Sequence, residues 1–152
     1  MSNEIACLAI ATTNLSTSPI LSIGLWTSQS LLLFSLPSLA LLLTQVVDSE
    51  YLIRSTLLVE FADDAIYLFA GLGDGSLTNY LVSKADDGIN LTIENNSNKA
   101  VVLGTRPIVM CVFEAEDGAK SVFVSSDRPT VVSAKGDRLI YSSVNLKVAL
   151  YH

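Results

Sequence analysis

Short apolar segments separated by polar turns recur three times along the chain, in units covering residues 4–47, 52–105 and 107–144. Each unit contains four segments of six to ten residues, and the turn between the second and third segments begins at Trp26, Gly73 and Ser126. The repeat lengths are therefore 47 and 53 residues. Repeats of about 40 to 50 residues with four strands each are typical of β-propeller blades. The pattern predicts an all-β fold: a β-propeller fragment of about three four-stranded antiparallel blades, forming a single partial domain over residues 1–152.

One segment, SLLLFSLPSLALLLTQVV at residues 30–47, has eight leucines and no charge, which leaves two interpretations open. The first is a membrane anchor over residues 31–47, although a spanning helix needs about 20 apolar residues. The second is a pair of strands, because Pro37 disfavours a helix at its position and at the preceding residue. We predict the second: an antiparallel hairpin that turns at Pro37.

The first two segments of each unit are almost entirely apolar, as expected of strands that are buried on both faces between neighbouring blades. Closed propellers have about four to eight blades, so three blades leave two open sides and indicate part of a larger structure. We predict that the blade interiors include Ile5, Leu8, Ile23, Leu58, Phe69, Val109, Val112 and Val124.

The amino-acid composition of the chain indicates which classes of binding partner are expected. The chain is 50% hydrophobic, 16% charged and has a mean hydropathy of +0.49, which predicts extensive burial or an apolar surface. Its net charge is −6, and no cluster of Lys or Arg is present, so we expect no direct nucleic-acid binding. Cys7 and Cys111 lie in apolar segments and are predicted to be small buried side chains in a reducing compartment.

A dinucleotide site is one alternative for the segment around Gly71-x-Gly73-x-x-Ser76. The residues that follow are too few and too rich in Thr, Asn and Tyr for the helix whose N-terminus would hold a pyrophosphate. We predict a hairpin turn at Gly73–Gly75 and no cofactor.

The residues of the chain offer few candidates for a catalytic site. His152 is the only histidine and the final residue, so nucleophile activation by histidine has no plausible base. The carboxylate pairs Asp63–Asp64 and Asp86–Asp87 are predicted to lie in turns, and no Cys/His cluster has the spacing of metal ligands. The chain is predicted not to be an enzyme.

Two residues are better candidates for protein contacts. Trp26, the sole tryptophan, precedes a turn and is either a core-capping aromatic or an interface anchor. Arg54 lies within the otherwise apolar segment YLIRSTLL and is either paired with a carboxylate such as Glu50 or presented to a partner at a channel mouth. The sequence Asp127-Arg128-Pro129 most simply makes a rigid turn.

The chain resembles the damaged-DNA-binding protein 1 family, the adaptor subunits of cullin-4 ubiquitin ligases. The resemblance covers about residues 4–147 and is carried, in order, by EIACLAI, SPILSIGLWT, LPS, IRSTLL, LGDGSL, LGTRPIV, VFVSSDRPTVV and LIYSSVNLK. Family members contain three seven-bladed propellers and a helical domain. The segment is similar to the later blades of the second propeller, which binds the cullin, while the other propellers hold substrate receptors.

The resemblance implies a non-catalytic scaffold in the nucleus and cytoplasm that positions substrate receptors for ubiquitination and is linked to the DNA damage response. It also implies that Trp26 and Arg54 lie in loops of the cullin-binding propeller, and we take them as the first candidates for protein binding. The large subunits of RNA-processing complexes share the architecture and are the alternative relatives. The chain departs from the family at residues 48–55, where Asp48 and Ser49 replace glycines and Ile53 replaces a proline.

Overall fold

Three antiparallel β-sheets, placed in chain order, make up the computed structural model, which describes residues 4–94, 100–136 and 138–144. The strands pair in chain order in the first and third sheets and through the first four strands of the second sheet, whose last strand pairs with its third. Within the described residues there is no α-helix, only one 3-10 turn at Ala62–Asp64. This arrangement confirms the predicted all-β fold and its partial propeller architecture.

The strands of the first sheet are β1 (Ile5–Ala11), β2 (Ile20–Leu25), β3 (Ser30–Ser35) and β4 (Ala40–Val46). Those of the second are β5 (Ile53–Glu60), β6 (Ile66–Leu72), β7 (Ser76–Lys84), β8 (Leu91–Ile93) and β9 (Val101–Val102). Those of the third are β10 (Val109–Glu114), β11 (Lys120–Ser125), β12 (Thr130–Lys135) and β13 (Arg138–Ser143). In the second sheet β8 pairs with the end of β7 and β9 with its beginning, so two short strands occupy the outer position.

The uncharged segment forms the hairpin of β3 and β4. The two strands pair antiparallel from Ser30–Val46 to Ser35–Ala40 around a turn at residues 36–39. Leu31 and Leu33 point into the core and are fully buried. The prediction of a turn at Pro37 is confirmed, and residues 31–47 do not form the single helix that the membrane-anchor interpretation requires. Among the described residues no helix is long and apolar enough to cross a bilayer.

Two apolar cores hold the sheets together. The first lies between the first and second sheets and includes Ile20, Leu33 and Leu68. The second lies between the second and third sheets and includes Phe69 and Val124. The second sheet is therefore covered on both faces, and all seven residues of β6 are buried.

The predicted interior positions differ in burial, and the sheet face alone does not decide it, because the buried Ile23 pairs with the exposed Leu8. Ile23, Leu58, Phe69 and Val124 are buried, as predicted. Val112 is half-buried against the second core.

Three of the predicted interior residues are instead exposed: Ile5 by 55%, Leu8 by 60% and Val109 by 66%. In β1 the alternate residues Cys7 and Ala11 pack on the first core, so Leu8 projects from the opposite face of that sheet. Val109 projects in the same way from the third sheet. No other sheet of the described residues covers these two faces, and the prediction failed for residues of the edge strands β1 and β10 because it assumed a neighbouring sheet on both sides.

The two cysteines differ in burial because only one of them lies on a covered sheet face. Cys7 is half-buried beside Gly24, and burial raises the pKa of its thiol. Cys111 lies on the uncovered face of the third sheet and is exposed, so the prediction of burial is wrong for this residue.

Candidate docking surface

One end of the three sheets is formed by turns and by the connections between sheets, and we call it the connector end. It comprises the turns at residues 26–29, 73–75 and 126–129 and the inter-sheet connectors at residues 47–52 and 103–108. Backbone hydrogen bonds join these segments: Gly73 N–H donates to Leu52 O (2.9 Å) and Leu103 N–H donates to Gly75 O (3.0 Å). Because each turn is bonded to a connector, the connector end is a continuous surface.

Trp26 opens the first of these turns. Its backbone N–H donates to Glu4 O at 3.3 Å, while its side chain remains 43% exposed. The ring therefore offers apolar area to solvent from a backbone that is held in place. This geometry fits an interface anchor better than a core cap.

Arg54 lies at the beginning of β5, one residue after the fully buried Ile53, and is exposed. A β-carbon built on Gly73 would lie 3.7 Å from its Nε, so the arginine stem runs past the second turn. No ion pair between Arg54 and Glu50 occurs in the part of the chain that the structure describes. Of the two interpretations of Arg54, the described contacts fit the one in which its charge is presented outward.

Trp26 and Arg54 sit at the same end of adjoining sheets. A β-carbon at Gly24 would lie 2.8 Å from Ile53 Cγ2, so β2 and β5 meet directly beneath the two candidates. The structure thus brings the two predicted site residues to one region of the connector end.

The Asp127 carboxylate stabilises the third turn, at residues 126–129, through hydrogen bonds to the second connector. It accepts hydrogen bonds from the Thr105 N–H (2.7 Å) and hydroxyl (2.8 Å), and these bonds lower its pKa, with a smaller contribution from the Arg106 charge. Arg128 N–H donates to Leu103 O at 3.2 Å. The segment is a rigid turn tied to the second connector, as predicted.

The remaining sequence candidates have structural roles. Gly73–Gly75 is a hairpin turn followed at once by strand β7, so the helix required by a dinucleotide site is absent there. Asp87 accepts hydrogen bonds from Ile89 and Asn90 within its own loop, which lower its pKa. His152 and the side chain of Asp63 lie outside the described residues.

Metal and small-molecule sites find little support in the described ranges. Over residues 4–94, 100–136 and 138–144 no group of three or more His, Cys, Asp or Glu side chains could hold a metal ion. A cleft of about 310 Å³ opens between β1, β5 and β10; Leu57 and Val112 line it, with Glu60 and Lys120. Its lining is mainly apolar.

The sequence analysis missed two residues of this surface, Gln29 and Tyr51. Gln29 has a positive φ of 53° and its side chain bonds across to the first connector, where Tyr51 is 51% exposed. A polar side chain that reaches 22 residues along the chain leaves no trace in hydropathy patterns.

Three sheets of antiparallel strands joined by short turns define part of a β-propeller. The chain belongs to the family described as the RSE1/DDB1/CPSF1 second beta-propeller, whose family model matches residues 1–151. This result confirms the resemblance inferred from the sequence blocks.

Curated relatives place the chain within the same group. It is 38% identical over 146 residues to DNA damage-binding protein 1 of Solanum lycopersicum and to DNA damage-binding protein 1a of Arabidopsis thaliana, covering 95% of this chain. It is 36% identical over 149 residues to DNA damage-binding protein 1 of Oryza sativa subsp. japonica, covering 97% of this chain. The chain spans 13% of the length of each of these relatives.

Proposed function

We propose that this chain is a non-catalytic adaptor segment that binds a cullin-4 scaffold through its connector end. Its membership of the second-propeller family supports an adaptor role, and the exposure of Trp26 and Arg54 on adjoining sheets supports the location. The single observation that carries the location is the contact of Gly24 with Ile53, which brings both residues to one region.

The proposed mechanism is positioning. Two cores with fully buried residues such as Leu33 and Phe69 fix the sheets, so the connector end is presented without large rearrangement. Preorganisation lowers the entropic cost of binding. Holding a ligase and a substrate receptor on one scaffold raises their effective concentration for ubiquitin transfer. From the similarity to the DNA damage-binding protein 1 relatives we further propose a location in the nucleus and cytoplasm and a role in the DNA damage response.

Binding to a purified cullin-4 N-terminal domain tests the proposal, with the full 152-residue chain titrated by calorimetry. We expect Trp26→Ala and Arg54→Ala each to weaken binding about tenfold or more, because Trp and Arg anchors dominate interface energies. Lys84→Ala is the matched control, since Lys84 is exposed at the opposite end of β7 and should bind as wild type.

Two outcomes would count against the proposal in different ways. If the wild-type chain has no measurable affinity for the cullin domain, the partner is wrong. If the wild type binds but the Trp26→Ala/Arg54→Ala double variant keeps full affinity, the partner stands and the assigned surface is wrong.

A further inference from the structure

The connector between the first and second sheets is held from both sides. At its beginning, Val47 N–H donates to Gln29 O at 2.8 Å, which ties it to the turn of the first sheet. At its end, Leu52 O accepts from Gly73 N–H at 2.9 Å, which ties it to the turn of the second sheet. Residues 48–51 therefore bridge two sheets at the centre of the connector end.

The Gln29 side chain fixes the middle of this bridge. Its Nε2 donates one hydrogen bond to Ser49 O (3.1 Å) and another to Tyr51 O (2.8 Å), so both amide hydrogens are used. Its Oε1 is buried without a hydrogen-bond partner among the described residues, and its backbone φ is +53°. A non-glycine residue at positive φ and an unpaired buried acceptor both cost free energy. The two hydrogen bonds from the Gln29 amide to the connector offset these two costs.

Tyr51 is the side chain that this arrangement presents. Its N–H donates to Ser49 Oγ at 3.0 Å and its carbonyl accepts from Gln29, so its backbone is fixed on both sides. Its side chain is nevertheless 51% exposed. An exposed aromatic ring on a fixed backbone has the character of a binding anchor, because little conformational freedom is lost when it is covered.

We propose that Gln29 is a positioning residue and that Tyr51, held by it, is a third anchor of the docking surface beside Trp26 and Arg54. The surface fits a partner segment that offers apolar side chains to the two aromatic rings and a carboxylate to the Arg54 guanidinium. This inference rests on the proposed function, since it concerns the same surface, and it deepens that function by adding a contact residue and the residue that orients it.

Two variants separate contact from positioning. Tyr51→Ala removes the ring and leaves the backbone bonds possible, so we expect about tenfold weaker binding to the cullin-4 N-terminal domain with an unchanged melting temperature. Gln29→Gly removes the amide but suits the positive φ, so the turn can persist without the side-chain hydrogen bonds. For this variant we expect weaker binding and faster amide hydrogen exchange at residues 48–52, with exchange at 126–129 unchanged.

Ile89→Ala is the control, because Ile89 is 75% exposed in the loop after β7, at the opposite end, and should alter neither readout. Full affinity of Tyr51→Ala, or unchanged exchange at 48–52 in Gln29→Gly, would overturn the inference. If the wild-type chain does not bind the cullin domain, the proposed function fails and the anchor role of Tyr51 fails with it. Hydrogen exchange of the free chain still decides whether Gln29 holds the connector.

Discussion

Truncating Leu33 tests the hairpin on which the fold depends. Leu33 lies in β3 with 0% exposure and belongs to the first core, whereas Leu41 lies in β4 of the same hairpin and is 50% exposed. Leu33→Ala removes buried carbons and leaves a cavity, so the free energy of unfolding should fall by about 2–5 kcal/mol. Leu41→Ala loses only about half of the roughly 1.5–3 kcal/mol that full burial contributes, or about 1 kcal/mol.

Equilibrium urea unfolding, followed by circular dichroism and by the fluorescence of Trp26, measures both variants against wild type. The two substitutions remove the same atoms from the same uncharged segment, so hydropathy alone predicts equal effects. Only the alternating faces of a strand predict a large difference between them. Equal losses for Leu33→Ala and Leu41→Ala would refute the hairpin and the blade packing derived from it.

Two further predictions concern the packing between the second and third sheets. Tyr141 accepts a hydrogen bond from Asn79, and burial raises the pKa of its hydroxyl from 10.0 to about 12. The contribution of the neutral Tyr141 side chain to stability is therefore complete below pH 10 and is lost as the pH rises toward 12. Tyr141→Phe should therefore flatten the fall in urea midpoint between pH 10 and pH 12, and an identical fall would contradict this assignment. A β-carbon at Gly71 would lie 2.6 Å from Ile108 Cγ1, so Gly71→Ala should destabilise by about 1–3 kcal/mol. At Gly73 the nearest atoms are 3.7 Å away, so Gly73→Ala should change stability by less than about 0.5 kcal/mol, and similar values for the two would contradict the close sheet contact.

Local spacing was sufficient to predict the strands of the first and third sheets and their order, whereas strand β8 of the second sheet was not predicted. Turns at 26–29, 73–75 and 126–129 appear where the repeat places them, because adjacent antiparallel strands need only short-range punctuation. The burial of individual side chains could not be predicted from spacing alone. Leu8 and Phe69 are both large apolar residues in apolar segments, yet one is 60% exposed and the other fully buried. The difference depends on whether another sheet covers that face, which a single strand does not encode.

The candidate docking surface was only partly predictable from the sequence, for a related reason. Trp26 and Arg54 stand out by residue type, since a lone tryptophan at a turn and an arginine beside an apolar segment are unusual. Gln29 and Tyr51 do not stand out, because their roles depend on a hydrogen bond between residues 22 positions apart and on a backbone φ of +53°. Such contacts are set by the packing of the first sheet on the second.

The membrane-like hydropathy of this chain also follows from sheet packing. Residues 5–47 contain no charged side chain, and they form the whole first sheet. Strands covered on both faces lose the alternation of polar and apolar residues, as the fully buried β6 shows. In the first sheet one face is covered, while Leu8 and Ile10 on the other remain 60% and 62% exposed. Three sheets are fewer than the four blades of the smallest propeller ring, so an uncovered apolar face is expected at each end of the series. The hydropathy of residues 5–47 is thus that of a sheet suited to contact another sheet on both faces, and its polar backbone is satisfied by strand pairing rather than by a helix.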